Sequence, residues 1–380
     1  MEERMRGRFF IIFSTLLFLA NLLLGVEKPL IIGKEKGEGE LIQPKRFEEG
    51  PDGNIYVYDS SDAFIKVYSP DGKFIRKIGG KGEGPGEIKR ADGANFGFTH
   101  DGKSLFITEY FGGHQWISVL DIKGNFEKAI HLNFKWFGVE KAESLSDGTF
   151  LVEVVLFEPP KPVEDYYHWI LPDVLIRINE KGEVLKEVLK RAYVSTISMF
   201  PGGADIGNLP FIPRFLWLPL KDNRIIFTDG LSTKFSIYDL SGNKIGELQT
   251  PLPEPEKVTS KDLDKWREER REMLMRDRSW YETFGKVIDK YKKSIYDKKP
   301  NLYDIYSTPE GNILISGLYG NYYLIDQKGK LLSSIKYNAN IKITKNFVLF
   351  GKEDEEGVLT IYCIKRRGKE AEDLKRLKDI

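Results

Sequence analysis

Ile78-Gly79-Gly80-Lys81-Gly82-Glu83-Gly84-Pro85-Gly86-Glu87-Ile88 is the stretch whose reading decides the fold. Its glycines suggest a phosphate-binding loop. Such a loop must run into a helix, so that N–H groups and the helix dipole face the anion. Here the chain runs instead into Ile88 and an extended segment, Ala94–Phe98. The Gly-Lys-Ser/Thr ending is absent, and Pro85 lacks a donor N–H. An imperfect copy, Ile32-Gly33-Lys34-Glu35-Lys36-Gly37-Glu38-Gly39-Glu40-Leu41, lies upstream. The step from Gly33 to Gly79 falls in the range of roughly 40–50 residues that marks a repeat array. The stretch reads as a joint between two repeats, where positive φ helps the chain turn.

Turn signals recur on either side of it. One set is Pro51-Asp52-Gly53-Asn54, His100-Asp101-Gly102-Lys103, Ser146-Asp147-Gly148-Thr149, Lys221-Asp222-Asn223-Arg224 and Pro309-Glu310-Gly311-Asn312. Each leads at once into an apolar run. A second set follows, at Gly72, Gly124, Gly182, Gly242 and Gly329, each between alternating strands such as Phe64–Tyr68 and Phe74–Ile78. Asp-Gly and Asn turns supply the positive φ of tight hairpins, and alternation marks half-buried strands. Each unit thus holds two hairpins, or four antiparallel strands A to D.

Five units are complete. A sixth has three strands, Ile341–Ile343, Phe347–Phe350 and Val358–Ile364. Pro29–Ile32 ends in Ile-Gly like a strand D and can fill the vacancy, closing a ring without open edges. The predicted fold is all-β: a six-bladed β-propeller over 26–366, closed by its N-terminal strand.

The first repeat, Asp52-Gly53-Asn54-Ile55-Tyr56-Val57-Tyr58-Asp59 with Ile65-Lys66-Val67-Tyr68 and Gly72-Lys73-Phe74, resembles the six-bladed propellers of the NHL-repeat type. The joint ending Gly84-Pro85-Gly86-Glu87 is similar to those of exported bacterial members. The resemblance is strong in the first blade and loose elsewhere. It implies the fold and leaves the function open, since the family includes ligand-binding, partner-binding and a few catalytic members.

Composition narrows the setting. Lys+Arg 58 against Asp+Glu 57 leaves nothing to attract nucleic acid. Cys363 is the single cysteine, so no intrachain disulfide forms. Arg4, Arg6 and Arg8 precede an apolar run from Phe9 to Leu24. This reads as a signal peptide or an uncleaved N-terminal anchor over 1–25, about 24 Å long as a helix against a hydrocarbon core of ~30 Å. The expected location is exported, periplasmic or in the cell envelope, with membrane contact only through that segment if it is uncleaved. Residues 367–380 read as a charged C-terminal tail.

All the tight turns share the bottom face of the ring, and the long insertions share the top. The insertions are Glu158–Trp169, Ala192–Pro213 and the helical insertion 251–300 between blades four and five. In the last, Thr259 and Asp262 have capping-box-like spacing. Trp266, Met273, Trp280 and Val287 form a seven-residue stripe that packs on the propeller, or serves as a lid. Function concentrates on loops held by a rigid scaffold.

The candidate ligand-binding residues are therefore at the top. Strand B ends at Asp59, Glu109, Glu153, Asp229 and Ser316, so four of these positions are acidic. They would either accept N–H bonds from their own loops or form an acidic ring around the channel. Tyr110, His114, His168 and Trp169 complete the set. His114 and His168 sit in top loops of neighbouring blades without metal-motif spacing. Catalytic, metal and cofactor assignments are none. A protein, peptide or carbohydrate ligand at the top face suits aromatics beside a charged rim. The protein reads as a non-catalytic binding or scaffold module, with a hydrolase or lyase bearing a metal at the channel mouth as the alternative.

Overall fold

The structure is a computed structural model. It describes residues 28–110, 115–133, 138–156, 158–159, 161–163, 166–198, 209–275, 288, 293–353 and 359–379. Six four-stranded antiparallel sheets follow one another as blades. Blade one is Pro44–Glu49, Ile55–Asp59, Phe64–Tyr68 and Phe74–Gly79. Blade two is Ala94–Phe98, Ser104–Glu109, Trp116–Asp121 and Phe126–His131. Blade three is Gly138–Ser144, Phe150–Val155, Asp173–Ile178 and Val184–Arg191. Blade four is Leu216–Pro219, Ile225–Thr228, Lys234–Tyr238 and Lys244–Gln249. Blade five is Leu302–Ser307, Ile313–Gly317, Asn321–Ile325 and Leu331–Lys336.

Blade six draws on both ends of the chain: Asn340–Ile343, Phe347–Glu353, Leu359–Lys365 and, outermost, Leu30–Ile32. Leu30 pairs with Cys363 and Ile32 with Ile361. The strand expected to fill the vacancy fills it, and the fold is a six-bladed β-propeller.

Each blade is buried on both faces, and the core is divided among the blade junctions. Ile55 and Val57 pack toward blade six with Ile32, Leu349 and Ile361. Their neighbours Tyr56 and Tyr58 pack toward blade two with Phe96 and Leu105. Further clusters join blades two and three, three and four, four and five, and five and six. This explains why strand B is largely apolar on both faces: side chains alternate between two buried junctions instead of between core and water. Cys363 is core in the closing junction.

The glycine joint behaves as expected of a turn. Gly33 and Gly79 both have positive φ, +71° and +85°. Leu41 N–H donates to the Gly33 carbonyl at 2.9 Å, and Ile88 N–H to the Gly80 carbonyl at 2.8 Å. A Cβ on Gly33 would lie 2.3 Å from Leu41 Cγ, so the closeness as well as the φ requires glycine.

Three features add to the ring. Lys161–Val163, Tyr166–Ile170 and Val194–Ser198, expected as top loops, pair into a small three-stranded sheet. The insertion between blades four and five contains helix α1, Ser260–Met275. Thr259 N–H donates to Asp262 Oδ2 at 2.8 Å and Asp262 N–H to Thr259 Oγ1 at 3.3 Å, closing the capping box. Leu263 and Trp266 of α1 pack with Leu209 and Ile288, so the stripe begins buried, whereas Met273 is exposed. Trp280 and Val287 lie outside the described residues, as do residues 1–25. No helix among the described residues is long and apolar enough to cross a membrane.

Residues 367–380, read as a charged tail, contain helix α2, Glu370–Arg376. Leu374 and Leu377 are fully buried against blades five and six. The charges are engaged too: Glu370 accepts from Thr308 Oγ1 at 2.7 Å and from Glu310 N–H at 3.0 Å, and Arg366 pairs with Asp373 at 3.1 Å.

Candidate functional site: the mouth of the axial channel

The strand-B carboxylates do not form one ring. Asp59, Glu109 and Asp229 share a position and face the preceding blade, where the incoming joint passes. Asp59 accepts N–H bonds from Ile42 at 2.8 Å and Gln43 at 2.9 Å. Lys66 meets it at 2.9 Å, with both side chains buried. Burial pushes the Asp59 carboxyl up, but these bonds outweigh it and hold it below the usual range. Glu109 accepts the Arg90 N–H at 2.6 Å. Asp229 accepts the Leu231 N–H at 2.9 Å and the Tyr193 hydroxyl at 3.4 Å.

Glu153 and Ser316 occupy the position one residue earlier. Glu153 pairs with Lys141, and Ser316 with Asp304. A one-residue offset turns a side chain to the opposite face, so Glu153 looks toward blade four. There it accepts the Trp217 indole N–H at 2.6 Å. Asp59 and Glu109 clamp the incoming joints and Asp229 mainly its own loop, whereas Glu153 belongs to the channel wall.

The channel is lined by the six A strands. Two connected cavities of about 420 Å³ each open along it, sharing Arg46, Asn95, Glu140, Asp304, Tyr306 and Lys342. The upper one, at the mouth, adds Lys45, Asp92, Tyr110 and Asn340. Local backbone irregularity puts these side chains there. In blades one, three and five strand A carries a bulge, with register shifts at Pro44/Arg46, Val139/Lys141 and Leu302/Asp304. The extra residues are Lys45, Glu140 and Tyr303, which line the channel cavities. A bulge re-aims side chains at a sheet edge.

The wall has two electrostatic halves. On the blade-three side stand Glu140 and Glu153, with Asp173 at the start of the third strand of that blade. Burial raises all three carboxyls. Asp173 is pushed up to about 7, by burial first and then by Glu140. Tyr110, raised by burial and then by Glu140 and Asp173, faces the same group. Across the channel Lys342 pairs with Glu48 and lies 5.4 Å from the Tyr306 ring centroid. Burial lowers its ammonium, Glu48 opposes this, and nearby Arg46 adds to it.

Of the residues named from sequence, Tyr110 and Glu153 line the channel. His168 and Trp169 lie in the small extra sheet, where Trp169 Nε1 donates to Ser198 Oγ at 2.7 Å. Burial lowers the His168 imidazole. His114 lies outside the described residues. Among the described residues no group of three or more His, Cys, Asp or Glu is placed to hold a metal ion. Arg46, Glu140, Asp304 and Lys342 were not singled out. The available signal was a charged residue inside the innermost strand of the repeat.

Residues 41–131, the first two blades, match a family described as a 6-bladed beta-propeller. No curated protein matches the chain significantly. Solved structures of similar shape include a Bacteroides fragilis protein named as a candidate exported protein, with 10% identity over 90% of this chain and 95% of that one and a TM-score of 0.49. Virginiamycin B lyase from Staphylococcus aureus shares 13% identity over 88% of each chain, at a TM-score of 0.43. A luciferin-regenerating enzyme shares 11% over 90% of this chain and 96% of the other, also at 0.43. The chain is a six-bladed β-propeller whose first two blades carry the sequence signature of that fold.

Proposed function

We propose that the protein is a ligand-binding propeller of the cell envelope, and that its ligand enters the top mouth of the axial channel. The observation that carries this reading is the contrast between two sets of polar groups. The joint-clamping acids spend their oxygens on backbone N–H groups. The mouth instead gathers Lys45, Arg46, Asn95, Tyr110 and Glu140 around a cavity of about 420 Å³. Convergent polar groups in a concave site are the usual mark of small-molecule recognition. Of protein, peptide or carbohydrate ligands, this geometry favours a molecule or chain end small enough to enter. The basic, then apolar N-terminal segment and the NHL-like first repeat support export. The alternative, a hydrolase or lyase with a metal at the mouth, has no ligand group for the ion among the described residues.

The test is a thermal-shift panel of small carboxylates, phosphates, amines and neutral sugars on the full chain and on an Asn95→Trp variant. The indole would fill the mouth. At least one compound is expected to raise the melting temperature, with the shift lost in the variant. A panel without effect, or shifts equal in both proteins, would overturn the reading.

A further inference from the structure

We infer that the channel mouth recognises an oxyanion, a carboxylate or phosphate, and that Arg46 grips it. This rests on the ligand-binding reading above and narrows it to a chemical class.

The argument starts from two blades that solve one position differently. Arg46 and Lys141 each follow a strand-A bulge and each cover an aromatic ring on the next blade. Arg46 lies 5.8 Å from the Phe96 centroid, and Lys141 4.7 Å from the Trp217 centroid. Lys141 is fully engaged. Its ammonium donates to the Trp217 carbonyl at 3.0 Å and pairs with Glu143 at 3.8 Å. Arg46 is not. Its Nε is buried without a hydrogen-bond partner, and among the described residues its guanidinium makes no ion pair.

Arginine has five N–H donors in a rigid fork that fits carboxylate and phosphate oxygens in pairs. A buried donor left without an acceptor is costly, so native proteins supply one. Phe96 lies against the guanidinium, and Arg46 lines both cavities of the channel. Lys342 beside it carries a second positive charge, with Glu48 as its counter-ion. Asn95 and Asn340 add amide groups to the same cavity.

The carboxylates of the mouth are Asp92, Glu140 and Asp304. None lies within ion-pair reach of Arg46, so they leave its fork free and face the rest of the ligand. Glu140 also holds its proton more tightly than an ordinary carboxyl because of burial, which lessens its repulsion of an incoming anion. The ligand is thus anionic at one end and a hydrogen-bond donor at the other.

The experiment titrates the full chain with inorganic phosphate, acetate and citrate at fixed ionic strength in chloride, by thermal shift and calorimetry. Saturable binding of at least one probe is expected. Arg46→Lys should weaken it about tenfold or more, and Arg46→Met should abolish it. Binding of phosphate alone assigns a phosphate ligand, and binding of acetate or citrate alone a carboxylate. Ligand-free Arg46→Met should melt at or above the wild-type temperature, because among the described residues the Arg46 side chain makes no hydrogen bond or ion pair and methionine keeps a contact with the Phe96 ring. A clear drop would make Arg46 structural and overturn the inference. If compounds bind and are lost in Asn95→Trp but are indifferent to Arg46→Met, the oxyanion assignment fails while the ligand-binding reading stands. If nothing binds at the mouth, both fall.

Discussion

Lys66 reaches Asp59 at 2.9 Å across adjacent strands of blade one, with the two side chains 2% and 0% exposed. The same ammonium donates to the Glu40 carbonyl at 2.5 Å and meets Asp62 at 3.0 Å. Lys66 thus fastens the closing joint, residues 33–43, to the first blade. A buried pair is weak evidence of net stabilisation, but removing one partner strands the other charge. Lys66→Met should cost about 3–5 kcal/mol in urea denaturation at neutral pH. Asp59→Asn in the Lys66→Met background should recover part of that loss. If the single variant unfolds with wild-type stability, the joint is held by other contacts. Because Asp59 is held below the usual carboxylate range, its contribution is present above pH ~4 and lost as pH falls through its depressed native pKa.

Asp173 carries the opposite sign. Its native pKa is raised from 3.8 to about 7, by burial and then by Glu140. Between those values the folded protein holds a proton that the unfolded chain releases, so stability falls as pH rises through the window. Glu140 and Glu153 act in the same direction. The melting temperature should therefore decline from about pH 4 to about pH 7. Asp173→Asn should flatten the decline and stabilise the protein at the upper end by roughly 1–3 kcal/mol. Melting curves across that range decide it; identical slopes in the two proteins would show that the group is solvated.

Truncation after Lys365 should destabilise the ring. It removes Leu374 and Leu377, both fully buried, and takes the carboxyl partner from Thr308 and Asn312 at the foot of blade five. Loss of two buried leucines alone is worth about 4 kcal/mol or more. Guanidinium denaturation of the truncated and full chains measures the loss, and unchanged midpoints would return these residues to the status of a tail.

Much of the fold was legible because the repeat punctuates itself. Glycine or asparagine turns recur in every complete blade, and the Ile-Gly copy at Gly33 disclosed which strand closes the ring. The candidate site was less legible. Asp59, Glu109 and Asp229 share a structural position, but Glu153 and Ser316 fall one residue short, and a one-residue offset selects the opposite face. The channel lining depends on bulges at Lys45, Glu140 and Tyr303. A bulge is an extra residue in one strand, and it shows only against a partner strand whose pairing the sequence leaves implicit. The C-terminal helix was hidden by its composition: its charged residues outnumber the two leucines that dock it, and the hydrogen bonds that Glu370 accepts come from Thr308, Glu310 and Asn312, far away in the chain.

The pairing of Leu30 with Cys363 sets a timetable for the polypeptide. The first ordered strand has no partner until nearly the whole chain has been made, so five blades can assemble while the circle stays open. A chain in that state keeps its leading end free. Leu359–Lys365, made late, then locks Leu30–Ile32 in place, and the ring seals only once that strand has been synthesised.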